Sequence, residues 1–158
     1  MRTLWGALLW SLFLLLALRL HKREDKRRLA EYKGLCRLVG HVKSRLLQTP
    51  LPLSEVYGCF FDDALDRAGF LSLLKTEGFS AALSAGVLSL EKEELLPFEA
   101  YAEALGTRLY TEELREADAL LSTVTEEVSA REKALPVRQR LYGTLFFSGG
   151  MLLLLLLL

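Results

Sequence analysis

Apolar positions repeat with helical spacing through the middle of the chain, and no stretch there alternates like a strand. In residues 23–48 they recur three or four positions apart, which predicts a long helix that ends before Pro50. Glycines and prolines divide residues 50–106 into shorter predicted helices over about 54–65, 70–76, 80–89 and 91–105. The prediction is an all-α fold, with a compact bundle of about six helices in residues 21–140.

The last helix of the predicted bundle has the most regular pattern. Its apolar positions follow spacings of four and three in turn, through Tyr110, Leu114, Ala117, Leu121, Val124 and Val128. This is a heptad seam, and its short length favours packing inside the bundle over a free coiled coil. Pro136 is predicted to kink or break the helix beyond the seam.

Both ends of the chain carry uncharged apolar runs, over residues 4–18 and 141–158. At about 1.5 Å per residue, 18 helical residues span roughly 27 Å, close to the thickness of a thin hydrocarbon core. We therefore expect a transmembrane anchor at 1–20 and a transmembrane helix at 141–158, flanking the bundle. A signal peptide is the alternative for the first run, but the charged sequence HKREDKRR follows it in place of a small-residue cleavage site. A buried C-terminal helix is the alternative for the second run.

Basic residues border both apolar runs on the side of the bundle. They are Arg19, Lys22, Arg23, Lys26, Arg27, Arg28, Arg138 and Arg140. The positive-inside rule then predicts a protein that spans the cell membrane twice, with lipid as one partner and the middle of the chain in the cytoplasm.

Charge is balanced over the whole chain but not along it. The 20 basic residues equal the 20 acidic ones, which argues against a nucleic-acid-binding protein. Residues 91–132, however, hold twelve acidic residues against four basic ones. A solvated helix face is one interpretation of this excess, and a docking surface for a basic partner is the other. The candidate partner-binding residues are Glu112, Glu113, Glu116, Glu126 and Glu127.

Sequence motifs for catalysis, nucleotide binding or metal binding are lacking. The chain contains no GxxxxGK[ST], GxGxxG, GxSxG or HExxH pattern, and its histidines lack ligand-spaced neighbours. Cys36 and Cys59 are far apart and form no CxxC pair. The acidic residues at 62, 63 and 66 are expected to be solvated. We therefore predict no catalytic residue, no cofactor and no metal, and a protein that is not an enzyme.

The order of several short motifs resembles a known family. A helix ends in a PL-x-E turn at residues 52–55, a Leu-Gly helix stop follows at 105–106, and the basic, tyrosine-bearing segment 138–142 precedes Gly149 and Gly150. This layout resembles the stage III sporulation protein AB family of endospore-forming bacteria. Two positions depart from the family pattern. Members usually have an acidic residue a few positions after the Leu-Gly stop, where this chain has Arg108, Leu109 and Tyr110, and Leu145-Phe146 stands in place of the Leu-Gly pair at the start of the last span.

The resemblance implies a bundle similar to the cytoplasmic domain of the F component of type II secretion systems. It also implies a place in the mother-cell membrane, in a channel complex between mother cell and forespore. The implied partners are the cytoplasmic ATPase of that complex, stage III sporulation protein AA, and other membrane channel subunits. We therefore expect a membrane-anchored adaptor that docks the ATPase. The alternatives are a pore-forming subunit, or a signalling subunit that oligomerises through its last helix.

Overall fold

The structure is a computed structural model that describes residues 2–48, 51–107 and 109–157, with the backbone alone at 2–11, 14, 15, 18, 146 and 150–157. Over this part of the chain the all-α prediction is confirmed, and no strand is present. The helices are α1 (Arg2–Gln48), α2 (Leu53–Gly58), α3 (Asp63–Arg67), α4 (Phe70–Glu77), α5 (Phe79–Ser84), α6 (Lys92–Ala104) and α7 (Tyr110–Leu157). The chain divides into a central unit, Arg27–Ser129, and a terminal unit that contains the residues on either side of it.

The transmembrane helices predicted at 1–20 and 141–158 are contradicted. In the described part of the chain, no helix has the length and apolar character needed to cross a membrane. This finding also contradicts the predicted location, in the membrane around the forespore with two spans and a cytoplasmic middle domain. The uncharged runs hold at most 18 residues, against the roughly 20 that a spanning helix needs, and each continues into charged residues of the same helix. Met1 and Leu158, at the outer ends of these runs, lie outside the described residues.

The central unit departs from the prediction at its second helix. The single helix expected over 54–65 is divided into α2 and α3, so the described residues form seven helices and not about six. Asp62 begins the new helix, because its Oδ1 accepts hydrogen bonds from the backbone N–H groups of Ala64 and Leu65 at 3.0 and 3.3 Å. An aspartate at this position satisfies donors that the first turn leaves without partners.

Two prolines were predicted to end or break the long helices, and the structure agrees with the prediction at Pro50 but not at Pro136. α1 ends at Gln48, as predicted, although Pro50 itself lies outside the described residues. α7 instead continues past Pro136 to Leu157. A proline inside a helix removes one backbone hydrogen bond and costs about 3 kcal/mol. α7 is nevertheless helical on both sides of Pro136, and the predicted break is wrong.

The core of the central unit is built around α1. Its side chains at Leu35, Leu38, Val39 and Val42 are fully buried, and they pack with apolar residues from every later helix of the unit. Aromatic contacts join the elements: the rings of Tyr32 and Phe98 meet edge to face at 5.5 Å. Fully buried apolar side chains each stabilise the fold by about 1.5–3 kcal/mol.

The short helix α3 lies very close to α1 at Gly34. A Cβ atom on Gly34 would stand 2.8 Å from Leu65 Cγ and 3.0 Å from Asp62 Oδ1. Next to this contact, the Arg37 Nε donates to Asp62 Oδ2 at 2.7 Å. Asp62 therefore caps α3 and ties it to α1 at the same time.

A buried carboxylate ties the segment before α6 to α1. Glu31 is 1% exposed. It accepts hydrogen bonds from the Ser89 backbone N–H at 2.6 Å and from the Arg27 Nε at 2.7 Å. A buried charge is tolerated only with such partners.

The terminal unit contains the first part of α1 and the last part of α7. Within it, the rings of His21 and Tyr142 meet edge to face at 5.1 Å. His21 Nε2 also lies 3.9 Å from Asp25 Oδ2, one turn further along α1. The ring contact brings the two helices side by side near residues 21 and 142.

Two glycines on α1 provide a matched test of the contact with α3. We expect Gly34→Ala to lower the free energy of unfolding by about 1–3 kcal/mol, because the added methyl group would overlap Leu65 and Asp62. Gly40→Ala meets no atom within 4 Å, so we expect it to raise stability by about 0.5–1 kcal/mol through helix propensity. Urea unfolding of both variants measures these changes, and equal effects would contradict the close contact.

Candidate functional site

The acidic residues of the predicted docking surface lie on α7, which pairs with α1 in the central unit. The Tyr110 hydroxyl donates to the Leu46 carbonyl oxygen at 2.8 Å. Further along, Lys43 pairs with Asp118 and the Tyr32 hydroxyl bonds to Glu127. Residue numbers rise along α7 as they fall along α1, so the two helices are antiparallel here. These contacts fix which face of α7 points away from the core.

The heptad seam forms the inner face of α7. Ala117 and Val124 are buried in the core, and Leu121 and Val128 pack against it. The prediction that the seam packs within the bundle is confirmed from Ala117 to Val128, whereas Tyr110 at its start is 46% exposed.

Two of the five candidate glutamates serve the fold. Glu113 is largely buried, and its Oε1 accepts a hydrogen bond from the Gly106 backbone N–H at 2.5 Å. Glu127 accepts the hydrogen bond of the buried Tyr32 hydroxyl. Both carboxylates thus bond to groups of the central unit. Glu113 does so from a largely buried position, whereas Glu127 is exposed and bonds to a hydroxyl of the buried Tyr32.

The other three candidates lie on the outer face of α7. Glu112, Glu116 and Glu126 are exposed. At about 100° per residue they fall within an arc of roughly 80° around the helix. The exposed residues Ala119 and Thr123 lie between them on the same arc. The structure therefore gives three carboxylates on one solvent-facing strip, which we call the acidic face.

The predicted basic residues fall into two groups. Arg27 bonds to Glu31, and Arg28 Nη1 bonds to Glu91 Oε1 at 2.7 Å, so both take part in the central unit. The remaining basic candidates are exposed in the terminal unit: Arg19, Lys22, Arg23, Lys26, Arg138 and Arg140. Their predicted role was to flank membrane spans, and no described helix is long and apolar enough to be such a span.

Three polar residues outside these groups have structural partners. His41 Nε2 lies 3.2 Å from the Val56 carbonyl oxygen, and its ring packs beside Phe60. Asp62, which we expected to be solvated, is the buried cap of α3, whereas the exposed Asp63 pairs with Arg67. Among the described side chains, no group of three or more His, Cys, Asp and Glu residues is placed to hold a metal ion.

Two buried carboxylates are absent from the sequence-based candidates. Glu31 has no motif of its own, and only its contact with Ser89 shows its importance. Asp62 has a local signal, because an aspartate directly before a helix-forming segment is a common N-cap.

Tyr57 and Tyr101 are also buried. Burial raises the pKa of Tyr57 to about 12, and burial followed by the nearby Glu113 raises the pKa of Tyr101 well above its usual range.

Comparison with known proteins identifies no relative of this chain. No protein-family model matches the chain, and it has no match among curated proteins or solved structures. The resemblance to the stage III sporulation protein AB family therefore stays a prediction.

The two groups of glutamates should differ in how much each residue contributes to the free energy of unfolding. We expect Glu113→Ala to lower the free energy of unfolding by about 1–3 kcal/mol, because it removes a largely buried carboxylate together with its hydrogen bond to the Gly106 backbone N–H. Glu126→Ala, on the exposed acidic face, should change it by less than about 0.5 kcal/mol. Urea unfolding of the two variants checks this difference. A large loss at position 126 would show that the acidic face also serves the fold.

The two thiols should differ in reactivity. Cys36 is half-buried, and burial raises its pKa to about 11, whereas Cys59 is exposed. At pH 8 only about one Cys36 thiol in a thousand is then a thiolate. We expect iodoacetamide to modify Cys59 first, and Cys36 at least tenfold more slowly, by mass spectrometry of tryptic peptides. Modification at equal rates would contradict the described packing of Cys36.

Proposed function

We propose that the chain is a non-enzymatic helical adaptor that docks a partner with a basic surface on the acidic face. The observation that supports this most directly is the different placement of neighbouring glutamates. Glu113 is largely buried and Glu127 bonds to Tyr32 of the core, while Glu112, Glu116 and Glu126 lie on one exposed strip. The strip is carried on a helix that is fixed along its inner face. Carboxylates held in this way need little reordering when a partner binds.

Charge favours a basic partner. The acidic face lies within residues 91–132, where acidic residues exceed basic ones twelve to four. A surface of one sign steers an oppositely charged partner and sets its orientation. Exposed charge pairs are screened by salt, with a Debye length of about 8 Å at physiological ionic strength. Binding should therefore weaken as salt is added.

The resemblance described above supplies the kind of partner. We propose that the partner is an ATPase like stage III sporulation protein AA, held by the adaptor as part of a secretion-like complex between mother cell and forespore. The other subunits of that complex would bind elsewhere on the chain. The adaptor itself positions the motor and makes or breaks no bond.

The alternative of a signalling subunit that oligomerises through the heptad seam of its last helix has less support. That model needs the seam between Tyr110 and Val128, whose central residues Ala117 and Val124 are buried in the core of the same chain. A second copy would have to displace α1 from α7. The loss of two buried contacts and three polar ones makes this exchange costly.

Charge reversal tests the proposed docking. We expect the combined variant Glu112→Lys, Glu116→Lys and Glu126→Lys to weaken binding of the candidate ATPase at least tenfold, since three favourable charges become repulsive. The measurement is a titration of the full-length chain with the purified ATPase, at about 50 mM and about 300 mM salt.

The control reverses three exposed glutamates elsewhere in the central unit, Glu55→Lys, Glu77→Lys and Glu103→Lys. Because both variants change the net charge by the same amount, any difference in their binding of the ATPase reflects the positions of the altered glutamates. We expect the control to weaken binding less than threefold. Equal loss in both variants would mean that only net charge matters. No binding by the unaltered chain at either salt concentration would refute the proposed function.

A further inference from the structure

The terminal unit exposes two stripes of large apolar side chains. The α1 stripe contains Leu12, Phe13, Leu16 and Leu20, and the α7 stripe contains Val137, Leu141 and Leu145. Each of these side chains is between 57% and 66% exposed. Single exposed apolar residues are ordinary, but contiguous apolar surface of this kind marks a contact with another molecule.

Both stripes are continuous along their helices. At about 100° per residue, the α1 stripe fills an arc of roughly 100° and the α7 stripe one of roughly 80°. His21 and Tyr142, which bring the helices together, lie about 100° or more around their helices from the centres of the stripes. The stripes are therefore directed away from this contact.

The exposed area is close to what a specific dimer needs. An aromatic side chain presents roughly 150–250 Å² and leucine and valine present less, so the seven stripe residues at this exposure present at most about 700 Å². A standard protein interface buries about 800 Å² on each partner. A symmetric dimer uses the same patch twice, since each copy contributes both stripes.

We infer that a second copy of this chain covers the stripes. The chain carries no net charge, so no long-range repulsion opposes association of two copies. Leucines at a spacing of four form the ridges that interdigitate between packed helices. The exposed basic residues Lys22, Arg23 and Lys26 follow the α1 stripe, so an antiparallel crossing of the two α1 helices keeps these like charges apart. The dimer does not depend on the acidic face.

Sedimentation equilibrium of the full-length chain tests the dimer. We expect twice the monomer mass of 17.8 kDa at micromolar concentration. The combined variant Leu16→Lys and Leu141→Lys should raise the dimer dissociation constant at least tenfold, since both stripes lose a central side chain. The matched control is Phe147→Lys, a change at an exposed apolar residue of α7 that lies about 120° from the centre of the α7 stripe. Its dimer should keep the original dissociation constant within threefold.

Cross-linking tests the contact without adding a charge. In a Cys36→Ser, Cys59→Ser background, we expect Leu16→Cys to form a disulfide between two copies on mild oxidation, and Phe147→Cys to form little. An antiparallel crossing centred near residue 16 also predicts cross-links between Leu12→Cys and Leu20→Cys chains when the two are mixed.

Three results would overturn the inference. The first is a chain that stays monomeric up to about 100 μM. The second is a dimer that the stripe variant leaves unchanged. The third is a monomeric chain that sediments with neutral phosphatidylcholine vesicles, because the stripes would then be covered by lipid and not by a second copy.

Discussion

The central unit depends on the burial of one helix, α1, by elements from both sides. Its apolar side chains at Leu35, Leu38 and Val42 are fully buried, and several polar side chains on the same stretch bond to neighbouring elements. The partners come from four segments: Ser89 for Glu31, Asp62 for Arg37, the Val56 carbonyl for His41, and Glu127 and Asp118 of α7 for Tyr32 and Lys43. The polar contacts thereby set the position of each element around α1.

This arrangement connects the packing of α7 to the function we propose. α7 presents its inner face to the core and its outer face to solvent, and the contacts of Tyr32, Lys43 and Tyr110 decide which residues belong to which face. A rotation of the helix by about 100° would exchange the roles of Glu112 and Glu113. The acidic face therefore owes its composition to contacts on the opposite side of the helix.

The apolar ends show where hydropathy alone misleads. Both runs have the composition of a membrane span, and the positive-inside rule applied to Arg19 and Arg140 gives a consistent topology. In the described structure, however, the runs are the end segments of α1 and α7, and no helix meets the requirement for crossing a membrane. Composition reports the affinity of a segment for apolar surroundings, whereas the length of the uninterrupted apolar helix decides whether it spans a bilayer.

The sequence by itself determined the helical period, the end of α1 before Pro50, the stops near Gly69, Gly78 and Gly106, and the inward-facing seam of α7, because these follow from local propensity and spacing. It also identified an acidic helix, but the sequence pattern gave no means of telling which of its five candidate glutamates bond within the fold. Only the tertiary structure separated Glu113 and Glu127 from the other three, divided the second predicted helix at Asp62, and revealed Glu31 as a buried anchor. The physical reason is that a carboxylate's role depends on which donors lie within about 3 Å, and those donors come from residues distant in the chain.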